Sequence, residues 1–310
     1  MSSYARHVRH QVPVIAGLAE TAVAALRQKV PFAKRRGPIA VPGPEFRRTV
    51  APRPAALVRD YAAHVGADAD RYRAFLPPHL FPQWSFGVLG KTLRDLPYPL
   101  ARALNAGFRL EIREPMPAAE PIHMAARLES IDASERRVVI RQRVISGTPS
   151  APEAQVATVE LIIVRARGGG SGKKAEVPDD AEELDRWALP AGAGLAFAQL
   201  TGDFNPVHWL RPYARAAGFP NTILHGFSTA ARAMEGLARS RGVGDLHDLA
   251  AFEARFTRPL VLPAEVGLYT GEGGEVYVGD RPGETAYLVG RYEVGAPGRA
   301  QHNASERGRG

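Results

Sequence analysis

A weak internal repeat constrains this chain more than any other feature of its sequence. The phrase Ile112-Arg113-Glu114-Pro115-Met116 is answered by Phe256-Thr257-Arg258-Pro259-Leu260. Two helical patterns precede each phrase: Leu57–Gly66 and Phe81–Leu96 in the first copy, Gly194–Gly202 and Leu224–Ser240 in the second. Alternating segments follow each phrase. They are His123–Glu129, Arg137–Ile145 and Gln155–Arg165, then Ala264–Thr270, Glu275–Gly279 and Thr285–Tyr292. Apolar residues spaced three and four apart predict amphipathic helices, and apolar/polar alternation predicts half-buried strands. Helices followed by a β-meander, twice over, predict an α+β fold of antiparallel sheets.

At 310 residues the chain is long enough for two such units. Residues 1–44 read as a basic, proline-bounded extension, with a short amphipathic helix over Val14–Arg27 that either packs on the body or lies on a membrane surface. Residues 45–167 form the first unit. The Gly168-Gly169-Gly170-Ser171-Gly172 stretch opens a polar linker over 168–180, and residues 181–294 form the second unit. Residues 295–310 lose their apolar positions and read as a disordered tail.

Composition excludes several function classes. The chain has no cysteine, which removes disulfides, thiolate metal sites and cysteine nucleophiles. No apolar run approaches the roughly 20 residues of a transmembrane helix. No secretory h-region is visible, so the cytoplasm is the expected location. The net charge of +8 gathers near the two ends. Without aromatic interleaving it argues against a nucleic-acid partner and suits an anionic small molecule or an acidic carrier protein.

The repeat is chemically lopsided. Thr201-Gly202-Asp203 and His208 stand in the second copy where the first has Val65-Gly66-Ala67 and no Asn-Pro-x-His; His225-Gly226 stands against Pro82-Gln83. Within 197–214, Gly202 gives the backbone freedom and Pro206 stiffens a turn that separates Asp203 from His208. A carboxylate and an imidazole on one rigid loop form an acid/base pair. Asn205 does not titrate and reads as a brace or a water-orienting group. Asp203, His208 and His225 match no metal-ligand spacing, so no metal is expected.

These residues resemble the MaoC-like family of (R)-specific enoyl-CoA hydratases and 3-hydroxyacyl-thioester dehydratases. Phe197, Leu200, Thr201, Gly202, Asp203, Asn205, Pro206, Val207, His208 and Ala214 fill every position of that family's hydratase motif. Gly218-Phe219, His225-Gly226 and a strand over Arg255–Leu260 extend the likeness. The resemblance implies a double hotdog, two antiparallel sheets each wrapping a central helix, with catalytic residues only in the C-terminal unit. It implies reversible syn hydration of a trans-2-enoyl thioester, carried by CoA or an acyl carrier protein, to the (R)-3-hydroxyacyl thioester, without a cofactor. Asp203 and His208 are then the acid/base pair, in roles the sequence leaves open. The Gly226 amide, at a helix start, is the oxyanion donor. Gly202, Asn205 and His225 support the loop, and the acyl chain runs into the first unit around Phe75–Leu96. Arg258 is a candidate for the CoA phosphates, as are Arg211 and Arg215, while Trp209 and Phe219 read as packing residues. A homodimer fits the same reading. The competing readings are a non-catalytic acyl-thioester binder and a hotdog thioesterase, the latter with Glu235 as its helix carboxylate.

Overall fold

The computed structural model describes residues 4–12, 15, 39–100, 103–165, 175–240 and 246–295. Ten strands form one sheet: β1 (Phe46–Val50), β2 (Leu104–Ile112), β3 (Ile122–Ala133), β4 (Arg137–Gly147), β5 (Gln155–Val164), β6 (Glu182–Leu189), β7 (Leu249–Phe256), β8 (Ala264–Thr270), β9 (Glu275–Gly279) and β10 (Ala286–Val294). The order is β1-β3-β4-β5-β2-β7-β10-β9-β8-β6. Read from either edge inward, the two halves trace the same path, with β6, β8, β9, β10 and β7 answering β1, β3, β4, β5 and β2. The half-sheets join where β2 pairs with β7, from Gly107 opposite Arg255 to Glu111 opposite Ala251. The double hotdog is therefore one continuous sheet, closed along its midline by main-chain hydrogen bonds.

Each half-sheet covers one long helix. In the first half this is α2 (Phe81–Leu93), preceded by α1 (Ala55–His64). In the second, α3 (Ala193–Thr201) and α4 (Arg211–Ala216) precede α5 (Gly226–Arg239). Helix α2 packs on β1, β3 and β4, and α5 on β6, β7, β9 and β10. Pro82 sits in the first turn of α2, where a missing N–H costs nothing. Phe81, Trp84, Val88 and Leu89 are buried along the same helix. Trp84 satisfies its indole N–H on Ser146 Oγ at 3.1 Å. Helix α5 buries Phe227, Ala230, Ala231, Met234 and Leu237, the three-and-four spacing of an amphipathic face. Each large apolar side chain buried this way stabilises the fold by about 1.5–3 kcal/mol.

The structure adds to the sequence reading and corrects parts of it. Strands β1 and β6, which open the two halves, were not expected; both lie at sheet edges and carry charged, largely exposed positions. The strand expected over Arg255–Leu260 ends at Phe256, because the Arg258-Pro259 step cannot continue the ladder. The Leu76 amide donates to the Met116 carbonyl at 2.8 Å, as the Leu224 amide donates to Leu260 at 2.8 Å. That pairing sets Pro77-Pro78, rather than Pro82-Gln83, opposite His225-Gly226. Of the expected linker, residues 168–174 lie outside the described residues. The remainder is pinned to the second half by bridges from Glu176 to Thr285 and from Val177 to Pro282. The helix expected over Val14–Arg27 lies outside the described residues apart from residue 15, and so does the tail from residue 296 onward. Residues 4–12 are packed on the body, with a 3-10 segment over Ala5–Gln11 that buries His7 and Gln11.

Candidate active site

Helix α3 delivers Asp203. The helix ends at Gly202, whose φ of 85° is left-handed and turns the chain out of the helix axis. Thr201 Oγ1 donates to the Phe197 carbonyl at 2.9 Å and accepts the Asp203 amide at 3.5 Å. The Asn205 amide donates to Asp203 Oδ1 at 3.3 Å, which orients the carboxylate. Asn205 Oδ1 in turn caps the 3-10 turn Pro206–His208 by accepting the Val207 amide at 3.3 Å. Asn205 itself is exposed, and Asp203 keeps 22% of its side chain open to solvent.

That turn presents His208, half-buried, beside the carboxylate. The backbone of α3 at Gly194 lies flush against the His208 carbonyl, where any Cβ would collide. His208 Nδ1 lies 2.9 Å from the Ile223 carbonyl. A carbonyl only accepts, so Nδ1 carries the proton and Nε2 keeps its lone pair. Burial lowers the His208 pKa below the ordinary histidine value, against the opposing pull of the Asp203 carboxylate and the Ile223 carbonyl. His208 is therefore a neutral acceptor at neutral pH.

His225 lies directly beneath, its ring stacked on His208 at 3.6 Å between centroids and 24° between planes. Its Nε2 donates to the Asp203 backbone carbonyl at 3.0 Å and sits 3.9 Å from Asp203 Oδ2. Burial first, then the neighbouring His208, pushes its pKa well below the ordinary value. Donor atoms of Asp203, His208 and His225 fall within 4.8 Å of one another. Imidazole lone pairs lie in the ring plane, and two nearly parallel planes do not converge on one ion at about 2 Å. The cluster suits proton transfer better than chelation.

Gly226 opens α5 next to His225, so its amide is the first of the helix and has no intrahelical acceptor. The Phe256 ring lies over it; a Cβ on Gly226 would stand 2.8 Å from ring carbons. Phe227, the next residue, is ringed by Phe108 at 5.2 Å, Phe81 at 5.5 Å and Phe86 at 5.5 Å. Both halves thus contribute an apolar wall next to the amide. Arg258 is exposed on the loop after β7, and Arg211 and Arg215 are exposed on α4. Phe219 packs against Val207, Ala214 and Ile223, as expected of a packing residue. Trp209 does not: it is 39% exposed, and its indole N–H is held by the Phe204 carbonyl at 3.1 Å.

Sequence reasoning passed over a buried polar network between the halves. Glu235 of α5 is fully buried and accepts from Tyr72 Oη at 2.5 Å and His79 Nε2 at 2.7 Å. Tyr61 Oη sits 3.0 Å from His79 Nδ1. Burial alone would raise the Glu235 pKa, but the hydrogen bonds and charge of His79, with Tyr72, hold it below the usual carboxylate value. Both bonds fall on Oε1 while Oε2 is buried without a hydrogen-bond partner, and the carboxylate sits nine residues along α5 from Gly226, which weighs against it as a hydrolytic base at the Asp203 loop. Its partners lie more than 150 residues away (|i−j| of 163 and 156). No local pattern announces such a contact.

Residues 192–289, which hold Asp203, His208, His225 and Gly226, match the sequence profile of the family described as "MaoC like domain". This segment is similar to a MaoC-like domain. The chain is 30% identical over 178 residues to 3-hydroxyacyl-thioester dehydratase Y of Mycobacterium tuberculosis, covering 53% of this chain and 60% of that protein. It is 29% identical over 163 residues to the enoyl-CoA hydratase ChsH3 of the same organism, covering 51% and 56%. The chain thus spans about 60% of the length of the curated relatives it matches. Around the matched segment the fold has solved counterparts. The crystal structure of HtdX of M. tuberculosis superposes with a TM-score of 0.65 at 20% identity, covering 80% of this chain and 100% of that one. A second M. tuberculosis structure, described as a double hotdog fold, gives 0.55 at 12% identity over 83% and 97%. The double-hotdog architecture is therefore shared by both halves, although the family profile covers only the second. Among the described residues no helix is long and apolar enough to cross a membrane.

Proposed function

We propose that the protein catalyses reversible hydration of a trans-2-enoyl thioester to the 3-hydroxyacyl thioester, with (R) stereochemistry at C3. The observation that carries this reading is the convergence of two acceptors with an unspent helix amide. The Asp203 carboxylate lies within 4.8 Å of a ring nitrogen of His208, whose Nε2 keeps its lone pair, and the Gly226 N–H opens α5 next to His225, the ring stacked on His208. A water between the two acceptors gives each of them one O–H. Its oxygen bonds to C3, the π pair moves to C2 with charge on the thioester oxygen, and the released proton is delivered to C2 from the same face. Dehydration is the reverse: C2 loses its proton, C3 loses hydroxide as water, and the double bond forms. Donors preorganised toward the developing oxyanion contribute roughly 10²–10³ in rate, and acid/base help roughly 10²–10⁴.

The names of the relatives support the thioester class, with CoA or an acyl carrier protein as the carrier. The phenylalanine wall beside Gly226 supports an apolar acyl group reaching toward the first half. Arg258, Arg211 and Arg215 supply exposed positive charge for the carrier's phosphates. The same reading has a cytoplasmic enzyme, acting as a homodimer and with no nucleic-acid partner. The test is loss of enone absorbance with crotonyl-CoA and longer enoyl-CoAs. Product carrying the 3-hydroxyl supports the reading. No turnover at any chain length would leave a non-catalytic binder, and thiol release with the enone intact would make the protein a thioesterase.

A further inference from the structure

Residues 4–12 lie across the end of α3, and their side chains reach the site's supports at two points. Gln11 is fully buried. Its Nε2 donates to the Leu200 carbonyl at 2.8 Å and the Gln199 carbonyl at 3.3 Å, while its Oε1 accepts from Gln83 Nε2 at 2.9 Å. The two carbonyls belong to the last turn of α3, where the helix itself supplies no donor. That turn runs directly into Gly202 and Asp203. At the other end of the segment, Tyr4 packs edge-on against His64 at 5.8 Å. A column of rings continues inward from there: His64 to Phe197 at 6.2 Å, Phe197 to His225 at 4.9 Å, and His225 to His208 at 3.6 Å. Between these ends Arg6 and His7 clasp Asp60 of α1 at 2.5 and 2.6 Å.

We propose that residues 4–12 form a strap that positions the acid/base pair, with Gln11 and Tyr4 as its positioning residues. The inference rests on the reading of Asp203 and His208 given above. Gln11 fixes the exit of α3 and with it the carboxylate; Tyr4 closes the ring column and keeps His208 from tilting. Without Gln11, the buried Leu200 carbonyl, the part-buried Gln199 carbonyl and the Gln83 amide lose their partner, and the last turn must reorganise to find one. A displacement of about 1 Å at a reacting group costs on the order of 10²-fold in rate.

The test compares Gln11→Ala, Tyr4→Ala and, as a control at an exposed strap position, Arg9→Ala in the full chain. Three quantities are measured: thermal midpoint, kcat and KM for enoyl-CoA hydration, and the His208 ring titration by NMR of isotope-labelled histidine. Gln11→Ala and Tyr4→Ala lower kcat about 10- to 100-fold with KM within about threefold. In both, the His208 titration moves up toward the ordinary histidine value as the packing around the ring loosens. Arg9→Ala leaves all three unchanged. A lower thermal midpoint with wild-type kcat and wild-type His208 titration in both variants overturns the strap, and an equal effect in Arg9→Ala does so too. If Gln11→Ala does not fold, Tyr4→Ala decides alone. A wild-type chain that turns over no enoyl-CoA sinks the proposed function; the His208 titration still reads whether the strap acts.

Discussion

The two halves of the molecule share a scaffold and differ in a handful of atoms. Helices α1 and α3 both run into a left-handed glycine, Gly66 at φ 84° and Gly202 at φ 85°. Both halves then return to the sheet by the same amide-to-carbonyl bond, from Leu76 to Met116 and from Leu224 to Leu260. On this common backbone the first half carries Ala67 where the second carries Asp203, and Pro77-Pro78 where the second carries His225-Gly226. Alanine offers no proton acceptor. Proline has no N–H, so the position that would hold an oxyanion cannot donate at all. A shared shape thus carries different chemistry: one carboxylate, one imidazole and one helix-start amide separate the two halves.

The comparison breaks most directly at the pair that only the second half has. Asp203→Asn and His208→Gln each lower kcat for enoyl-CoA hydration by about 10²–10⁴-fold or abolish it, with unchanged circular dichroism. A rate within tenfold of wild type in either variant would mean that the halves do not differ in the way argued here. Gly226→Ala comes next. The new methyl meets the Phe256 ring and moves either the ring or the amide, so kcat falls about 10²-fold; stopped-flow turnover at saturating substrate measures it.

The third prediction concerns what the halves hold in common. Glu235→Ala removes the buried acceptor of His79 Nε2 and Tyr72 Oη and destabilises the protein by about 3–5 kcal/mol in urea unfolding. A smaller loss would show that the buried network is not what ties α5 to the first half. The fourth concerns the histidines around the site. Burial lowers His208 and His225, and takes His64 down to about 3 with the help of Arg232. The unfolded chain binds protons below about pH 6.5 that the folded chain refuses, so stability is full above that value. It falls as pH drops from 6.5 toward 3, by roughly 1.4 kcal/mol per unit for each fully neutral histidine. Stability flat between pH 7 and 5 would show that these rings are solvated.

Much of this was legible because it is local. The span from Phe197 to Ala214 carries its motif in one contiguous stretch, and β8 and β9 fell where alternation put them, Ala264–Thr270 and Glu275–Gly279. The edge strands were illegible because charge breaks up their alternation, as in Phe46-Arg47-Arg48-Thr49-Val50 and Glu182-Glu183-Leu184-Asp185. The counterpart of His225-Gly226 was misplaced because the first half inserts a 3-10 turn, Pro78–Leu80, ahead of α2. Gln11, His79 and Tyr72 carry no signal at all in one dimension, since each acquires its role from a partner distant in the chain.

The β2–β7 seam has a consequence for the protein's behaviour in a crowded solution. A separate half would leave one long apolar strand with unpaired amides and carbonyls, a template for runaway association with other chains. Joining the halves consumes both of those edges. What remains exposed is β1, five residues long with Arg47 and Arg48, and β6, studded with Glu182, Glu183, Asp185 and Arg186. Strands so short or so charged are poor nuclei for fibrils. Fusing the two halves thus leaves the sheet only two ends, one of them short and both charged.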